Sequence, residues 1–316
     1  MPNLSFVIPA YNEQDSLVQL HQEIATVAAD NSYDFELVFV DDGSTDDTWK
    51  IIESLSLENE NVKAIMLRGN YGKAAALRAG TQMSSGDLVI TMDADLQDDP
   101  AEVPKMLAAL TEDFDMVSGW KEVRNDPVNK TMPSKVFNWL VGLLTGVRLH
   151  DHNCGFKLYR REIFDEVKLY GEMHRFVPVL AAAKGFRVTE IPVNHRARQH
   201  GVSKYGLKRL PKGFLDLLTV SFLTGFNQRP QHLLGMFGLA SFSVGAFGMF
   251  AMAIYWILRM VAYPEWTPLH QRPVVLYSVG LLILGTQLLS MGFLAELIVA
   301  KGQSREEPYS IAKKLE

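Results

Sequence analysis

Two aspartates one residue apart, Asp93 and Asp95, follow the apolar run Leu88-Val-Ile-Thr-Met and precede Leu-Gln97-Asp98-Asp99-Pro100. Such a run reads as a strand that delivers both carboxylates to its C-terminal mouth. Ligands of open α/β sheets bind beyond the carboxyl ends of the strands, and a hard cation is held there by one or two carboxylates plus substrate phosphates. Divalent metal binding, by Mg²⁺ or Mn²⁺, is therefore the chemistry expected of the pair. The same residues also suit an acidic strand-to-helix turn, with Asp98 or Asp99 as N-cap and Pro100 opening the helix. A second acidic turn, Asp41-Asp42-Gly43-Ser44-Thr45-Asp46-Asp47-Thr48, follows Glu36-Leu-Val-Phe-Val40. Ser44, Thr45 or Asp46 can cap a helix running on from Trp49, which leaves Asp41 at the strand end, where it could accept an N–H from a nucleotide base. A third strand, from Leu4 to Ile8, ends in Pro9-Ala10-Tyr11-Asn12-Glu13 and adds an aromatic face and a carboxylate to the same edge.

The elements that must position these groups alternate between strand and helix as far as about Gly119, which predicts a mostly parallel sheet with helices on both faces. No GxGxxG or GxxxxGK[ST] signature follows the first strand, so a dinucleotide fold and a P-loop are both disfavoured. The stretch from Trp120 to Lys130 is polar and turn-rich and reads as a loop. A net charge of −5 gives no basic footprint for nucleic acid. The single cysteine, Cys154, excludes an intramolecular disulfide and is expected to pack rather than react.

Hydropathy divides the chain. No charged side chain occurs from Leu233 to Leu258 or from Val274 to Ala295. Each central charge would cost about 2.5–3.5 kcal/mol on insertion, and roughly 20 apolar residues cross the hydrocarbon core. Two transmembrane helices are expected, at about 233–258 and 274–297, within a membrane region 230–300. Lys204, Lys208, Arg209, Lys212 and Arg229 precede the first run and Lys301, Arg305, Lys313 and Lys314 follow the second, so both termini should face the cytoplasm. Leu4 to Ile8 is too short for a signal-peptide core. Before the membrane, Leu207, Leu210, Phe214, Leu217 and Leu218 recur near helical spacing, and an amphipathic interfacial helix is expected within 205–229. A core helix of the soluble region is the other reading of that segment. A catalytic region 1–204 and a cytoplasmic tail 301–316 complete the expected organisation.

The segments VIPAYNE, VDDGSTDDT, NYGKAAALRAG and MDADLQDDP, followed by Asp151-His-Asn-Cys-Gly155-Phe-Lys157-Leu-Tyr-Arg160-Arg161 and Arg198-Gln-His-Gly201-Val-Ser203-Lys204, resemble family 2 glycosyltransferases. More narrowly they resemble the polyprenyl-phosphate branch, which includes dolichol-phosphate mannose synthase and bacterial polyprenyl-phosphate glucosyltransferases. Each motif alone is weak; all six in the family's order are strong. The resemblance implies a Rossmann-like GT-A domain and inverting, metal-dependent transfer of a hexose from a UDP or GDP sugar to a polyprenyl phosphate. It implies an integral, multi-pass protein of the cell (inner) membrane with its catalytic domain in the cytoplasm, and is compatible with a homo-oligomer.

Roles follow by likeness. Asp95, Asp93 and Gln97 would hold the metal; Pro9, Tyr11, Glu13, Asp41, Lys73 and Asp93 would bind the nucleotide, with Asn70 beside Lys73. Lys121, Arg124, Lys130, Ser134, Arg198, Ser203 and Lys204 are the candidates for the acceptor phosphate, by charge or hydroxyl and by likeness to the family's acceptor loops. Asp151 either orients acceptor or sugar hydroxyls as a catalytic residue or caps the turn before Gly155. A lipid phosphate is already anionic, so no strong general base is demanded. A processive polysaccharide synthase would share the nucleotide half, but no QxxRW segment is present. A catalytically silent membrane scaffold is the remaining reading, against which the intact Asp93/Asp95 pair stands.

Overall fold

The computed structural model of the chain describes residues 3–122, 128–167, 169, 171, 173–196, 210–225, 230–301 and 311–315. Strand β1 (Asn3–Ala10) places Leu4, Phe6 and Ile8 in one core cluster and Val7 in another. This is the two-residue period of a strand covered on both faces. Strand β2 (Asp34–Asp41) repeats the pattern, with Leu37 and Phe39 on one side and Val38 and Val40 on the other. Helix α1 (Leu17–Asp30) buries Leu17, Leu20, Ile24 and Ala28, an i, i+3, i+7, i+11 stripe. Helix α2 (Thr48–Glu58) leads to β3 (Val62–Leu67), and α3 (Lys73–Met83) to β4 (Leu88–Thr91). Then follow α4 (Val103–Ala109), β5 (Met116–Trp120), α5 (Val128–Thr145), β6 (Lys157–Arg160), α6 (Glu162–Glu166), α7 (Val177–Ala183) and β7 (Val188–Pro192).

The strands form one sheet in the order β7-β5-β6-β4-β1-β2-β3-β8, where β8 is Ile311–Leu315. Pairs β1–β2, β1–β4, β2–β3 and β5–β7 are parallel, whereas β6 runs antiparallel to both β4 and β5. The sheet is thus mostly parallel, as the alternation of elements predicts. Its eighth strand comes from the tail: Lys314 pairs with Ile65 and Lys313 with Met66, antiparallel to β3. No hydrophobic alternation in the tail announces this strand.

The N-terminal edge of the sheet, remote from the acidic turns, is pinned by Glu36. Its carboxylate accepts from Ser5 Oγ at 2.5 Å, Ser85 Oγ at 2.9 Å and the Gly86 N–H at 3.1 Å, and pairs with Lys63 Nζ at 2.8 Å. Burial alone would raise its pKa; Lys63 and the hydroxyl and amide donors outweigh that and hold it at about 2.

Helix α8 (Leu210–Gly225) has two faces. Leu217 and Val220 are buried with Val141 and Phe176, while Leu215 and Leu218 are exposed. The segment is both a packed helix of the α/β region and the carrier of an outward apolar stripe. By contacts the chain divides into residues 1–225 with 307–316, and residues 226–306. The second unit holds α9 (Pro230–Val261) and α10 (Pro273–Lys301), of which Leu234–Val261 and Pro273–Ala295 are long and apolar enough to cross a membrane. The two helices pack antiparallel through small residues. A Cβ added at Gly245 would lie 2.7 Å from the Ser278 carbonyl, and one at Gly285 would lie 2.7 Å from that of Gly238.

Candidate functional site

The ends of β1, β2 and β3 are stitched together by their own turns. Gly43 adopts φ +71 and a Cβ there would meet the Gly69–Asn70 backbone at 2.5–2.9 Å, so only glycine suits this turn. Asp42 fixes the approaching loop by accepting the N–H groups of Tyr71 at 2.7 Å and Gly72 at 2.8 Å. Asn12 receives the Thr45 N–H at 2.8 Å and donates its own N–H to Ser44 Oγ at 2.9 Å; the Glu13 N–H reaches Thr48 Oγ1. Pro9, Tyr11 and Glu13 therefore stand beside Asp41, at one edge. Asp41 Oδ1 accepts from the Ser44 N–H and hydroxyl, while Oδ2 is buried with no partner among the described residues. Burial raises its pKa against those two hydrogen bonds. An orphaned carboxylate oxygen at a strand end is suited to receive a donor from a ligand.

The Asp93–Asp98 turn carries local strain. Leu96, a non-glycine residue with φ 60, is fully buried and reverses the chain between Asp95 and Gln97. Conformations of this kind cost about 1–3 kcal/mol and persist where the surroundings enforce them. The Gln97 N–H donates to Asp95 Oδ1 at 3.2 Å, and the Asp93 N–H donates to Asp98 Oδ2 at 3.2 Å. Asp99 caps the next turn by accepting the Ala101 N–H at 3.0 Å, as the capping pattern predicts; Asp98 does something else. It is 1% exposed, lies 3.6 Å from Lys121 Nζ and 4.0 Å from His195 Nδ1, and forms a bridge with His195. Arg196 completes this edge, reaching Glu23 and Asp99 at 2.7 Å each while its N–H donates to the Gln97 carbonyl at 2.9 Å.

Asp93 pairs with Lys73, the first residue of α3. Burial would raise its pKa, but Lys73 first, then Lys121 and His174, bring it down to about 2. Gly155 packs against this pair: a Cβ there would lie 2.8 Å from Asp93 Oδ2 and 2.9 Å from Lys73 Nζ. The Asp151–Gly155 turn is held by Asp151 Oδ1, which accepts the Asn153 N–H at 3.0 Å, and by buried Lys157, whose ammonium donates to the Cys154 and His152 carbonyls. Asp151 is 1% exposed, and its carboxylate caps the turn that leads to Gly155. The Cys154 thiol is pushed up to about 12, first by burial and then by Asp98, and its side chain packs in the core.

Contrary to the loop expected from Trp120 to Lys130, Trp120 closes β5 and Val128–Lys130 open α5, while Lys121 follows β5 directly. Burial would lower its pKa, yet Asp98 foremost raises it above the ordinary lysine value, and its charge is met inside the protein. Ser134 is half-buried on α5. Arg124, Arg198, Ser203 and Lys204 lie outside the described residues, as does the side chain of Lys130. His174, His195, Arg196 and the packing role of Gly155 carry no separate signal in the motifs. Burial foremost, and then Lys73, hold the His174 pKa well below the ordinary histidine value, and its Nδ1 is buried without a partner among the described residues.

The donor set suits a hard cation: Asp93 and Asp95 carboxylates and the Gln97 amide on one turn, all oxygen. No group of three His, Cys, Asp or Glu side chains that could hold a metal occurs among the described residues. A cation here would thus complete its shell with ligand oxygens, which is the habit of Mg²⁺ at phosphate sites.

The mostly parallel sheet, with acidic turns at adjacent strand ends, is an α/β architecture of the GT-A type. Residues 5–168 match the family model described as glycosyl transferase family 2, and the chain belongs to that family and is a glycosyltransferase. It is 38% identical over 300 residues to a dodecaprenyl-phosphate galacturonate synthase of Rhizobium johnstonii, covering 93% of this chain and 87% of that one. It is 36% identical over 297 residues to an undecaprenyl-phosphate 4-deoxy-4-formamido-L-arabinose transferase of Klebsiella pneumoniae, covering 93% and 88%. Among solved structures, the fold is shared with glucosyl-3-phosphoglycerate synthase of Mycobacterium tuberculosis in complex with Mn²⁺, UDP and phosphoglyceric acid. The TM-score is 0.55 at 20% identity, over 71% of this chain and 78% of that one.

Proposed function

We propose that the protein transfers a sugar from a nucleotide diphosphate to a polyprenyl phosphate at the cytoplasmic face of a membrane, with inversion at the anomeric carbon. The observation that carries this reading is the Asp93/Asp95 turn at the end of β4 in the same chain as two helices apolar enough to span a bilayer. The names of the relatives, which pair polyprenyl phosphates with sugars, support the acceptor class.

In this reading Tyr11, Asp41 and the Asn70–Lys73 loop receive the nucleotide, and Asp93, Asp95 and Gln97 hold a divalent cation, Mg²⁺ or Mn²⁺. Such a cation, when bound, stabilises the departing diphosphate as a Lewis acid. Lys73 already lies at Asp93 and can turn its ammonium toward the diphosphate. Arg198, Ser203 and Lys204 bind the acceptor phosphate, with Lys121, Arg124, Lys130 and Ser134 as further candidates. Anchoring of Arg196 on the metal turn supports this, because Arg198 follows two residues later. The phosphate oxygen attacks C1 opposite the leaving group without a general base, and Asp151 orients hydroxyls. Residues 1–204 form the catalytic region, with both ends of the chain in the cytoplasm.

Transfer is measured with membranes, a panel of UDP and GDP sugars and undecaprenyl phosphate. Asp95→Asn, and chelation by EDTA, should each lower the rate at least about a hundredfold, equivalent to about 3 kcal/mol, while the protein stays folded. Arg198→Ala should weaken acceptor use about tenfold and leave donor affinity nearly unchanged. Full activity of Asp95→Asn in chelator would sink the metal mechanism. Equal glycosylation of free alcohols would sink the acceptor assignment.

A further inference from the structure

Gln287 is out of place on α10. It lies fourteen residues beyond Pro273 and eight before Ala295, so at about 1.5 Å per residue it sits about 21 Å and 12 Å from those ends of the apolar stretch. Both distances exceed the reach of a glutamine side chain to the interface of a hydrocarbon core about 30 Å thick. The residue is exposed and its amide makes no hydrogen bond among the described residues. Neighbouring Thr286 is also exposed but meets its own need by donating to the Leu282 carbonyl at 2.9 Å. The Gln287 amide, with two donors and an acceptor, cannot be satisfied by hydrocarbon.

Gln287 lines a shallow groove of about 780 Å³ together with Phe242 of α9 and Ile283, Thr286, Ser290 and Leu294 of α10. Its outer walls are bare, with Ile283 and Leu294 exposed by 56% and 59%. An isoprenoid chain could cover those walls but offers no hydrogen bond to the amide. We propose that this face of α10 is the contact with a second copy of the chain, in which the two Gln287 amides bond to each other. Two copies inserted in the same sense hold equivalent residues at equal depth, so a two-fold axis along the membrane normal brings amide to amide. A primary amide is both donor and acceptor, and the pair is therefore self-complementary. The inference rests on α9 and α10 crossing the membrane, which resistance to carbonate extraction checks separately.

The test uses the full chain in native membranes, with single cysteines added to the protein carrying its buried Cys154. Ile283→Cys and Leu294→Cys, on the Gln287 side of the helix, should form disulfide-linked dimers under mild oxidation. Phe293→Cys, about 120° round the helix at the same depth, should not. Adding Gln287→Leu should cut the Leu294→Cys dimer about tenfold, and Gln287→Asn should restore part of it. The proposal is overturned by a dimer yield indifferent to Gln287→Leu, by equal cross-linking at Phe293, by links only to other proteins, or by a protein that stays monomeric in lipid nanodiscs.

Discussion

The Asp98 carboxylate lies 3.6 Å from the Lys121 ammonium and accepts the Asp93 N–H at 3.2 Å, so one buried acid ties the end of β5 to the turn after β4. Removing one member of a buried pair leaves an uncompensated charge, which costs about 3 kcal/mol or more. Asp98→Asn should therefore lower the thermal midpoint in detergent by about 6–12 °C. Lys121→Met should cost less, and the double variant should lose less than the sum of the two. Strict additivity across that cycle would show the pair to be uncoupled.

Gly155→Ala tests the packing around the Asp93–Lys73 pair. The glycine has no left-handed backbone requirement, so the substitution costs little in conformation, but its methyl would sit 2.8–2.9 Å from both Asp93 oxygens. Turnover should fall about tenfold or more, equivalent to about 1.4 kcal/mol, while the melting temperature moves by only a few degrees. Unchanged donor KM and kcat would mean that the pair has no part in binding or catalysis.

The Glu36 staple predicts a specific pH dependence. Its folded pKa, about 2, lies below the ordinary value of 4.5, so the native state binds fewer protons there than the unfolded chain. The resulting stabilisation, about 3 kcal/mol at most, is fully present above pH 4.5 and is lost as pH falls toward 2. Glu36→Gln should destabilise the protein at pH 7, and the two melting curves should converge as the solution is acidified below pH 4.

Pairing of β8 with β3 puts chain segments from before and after the apolar helices into one compact unit. Reporters at both termini are expected to read cytoplasmic. Cysteines placed from Tyr263 to His270, in the connector, should react with an impermeant thiol reagent added outside the cell. Labelling only after the membrane is broken would reverse the orientation. Removing residues 307–316 should expose the β3 edge, seen as faster amide exchange in Val62–Leu67.

The order of strands and helices up to Trp120, the placement of Asp41, Asp93 and Asp95 at strand ends, and the two apolar helices were all legible in the sequence. Each rests on local periodicity or composition, which a linear reading preserves. Cys154 as a packing residue was legible for the same reason. What was not legible depends on residues far apart in sequence.

Asp98 looked like one more cap in an acidic turn until the fold brought Lys121 and His195 to it, and Lys121 looked like a loop cation until its charge was seen to be met by Asp98. Arg196 reaches across 173 positions to Glu23. The tail strand is specified by an open sheet edge on β3, not by any pattern within residues 311–315. Sequence alone determined the family, the strand-end carboxylates and the two long apolar helices, because side-chain type and spacing fix these directly. Only the tertiary structure decided which charges neutralise one another, because ion pairing and burial depend on distance in space between elements that no periodicity relates.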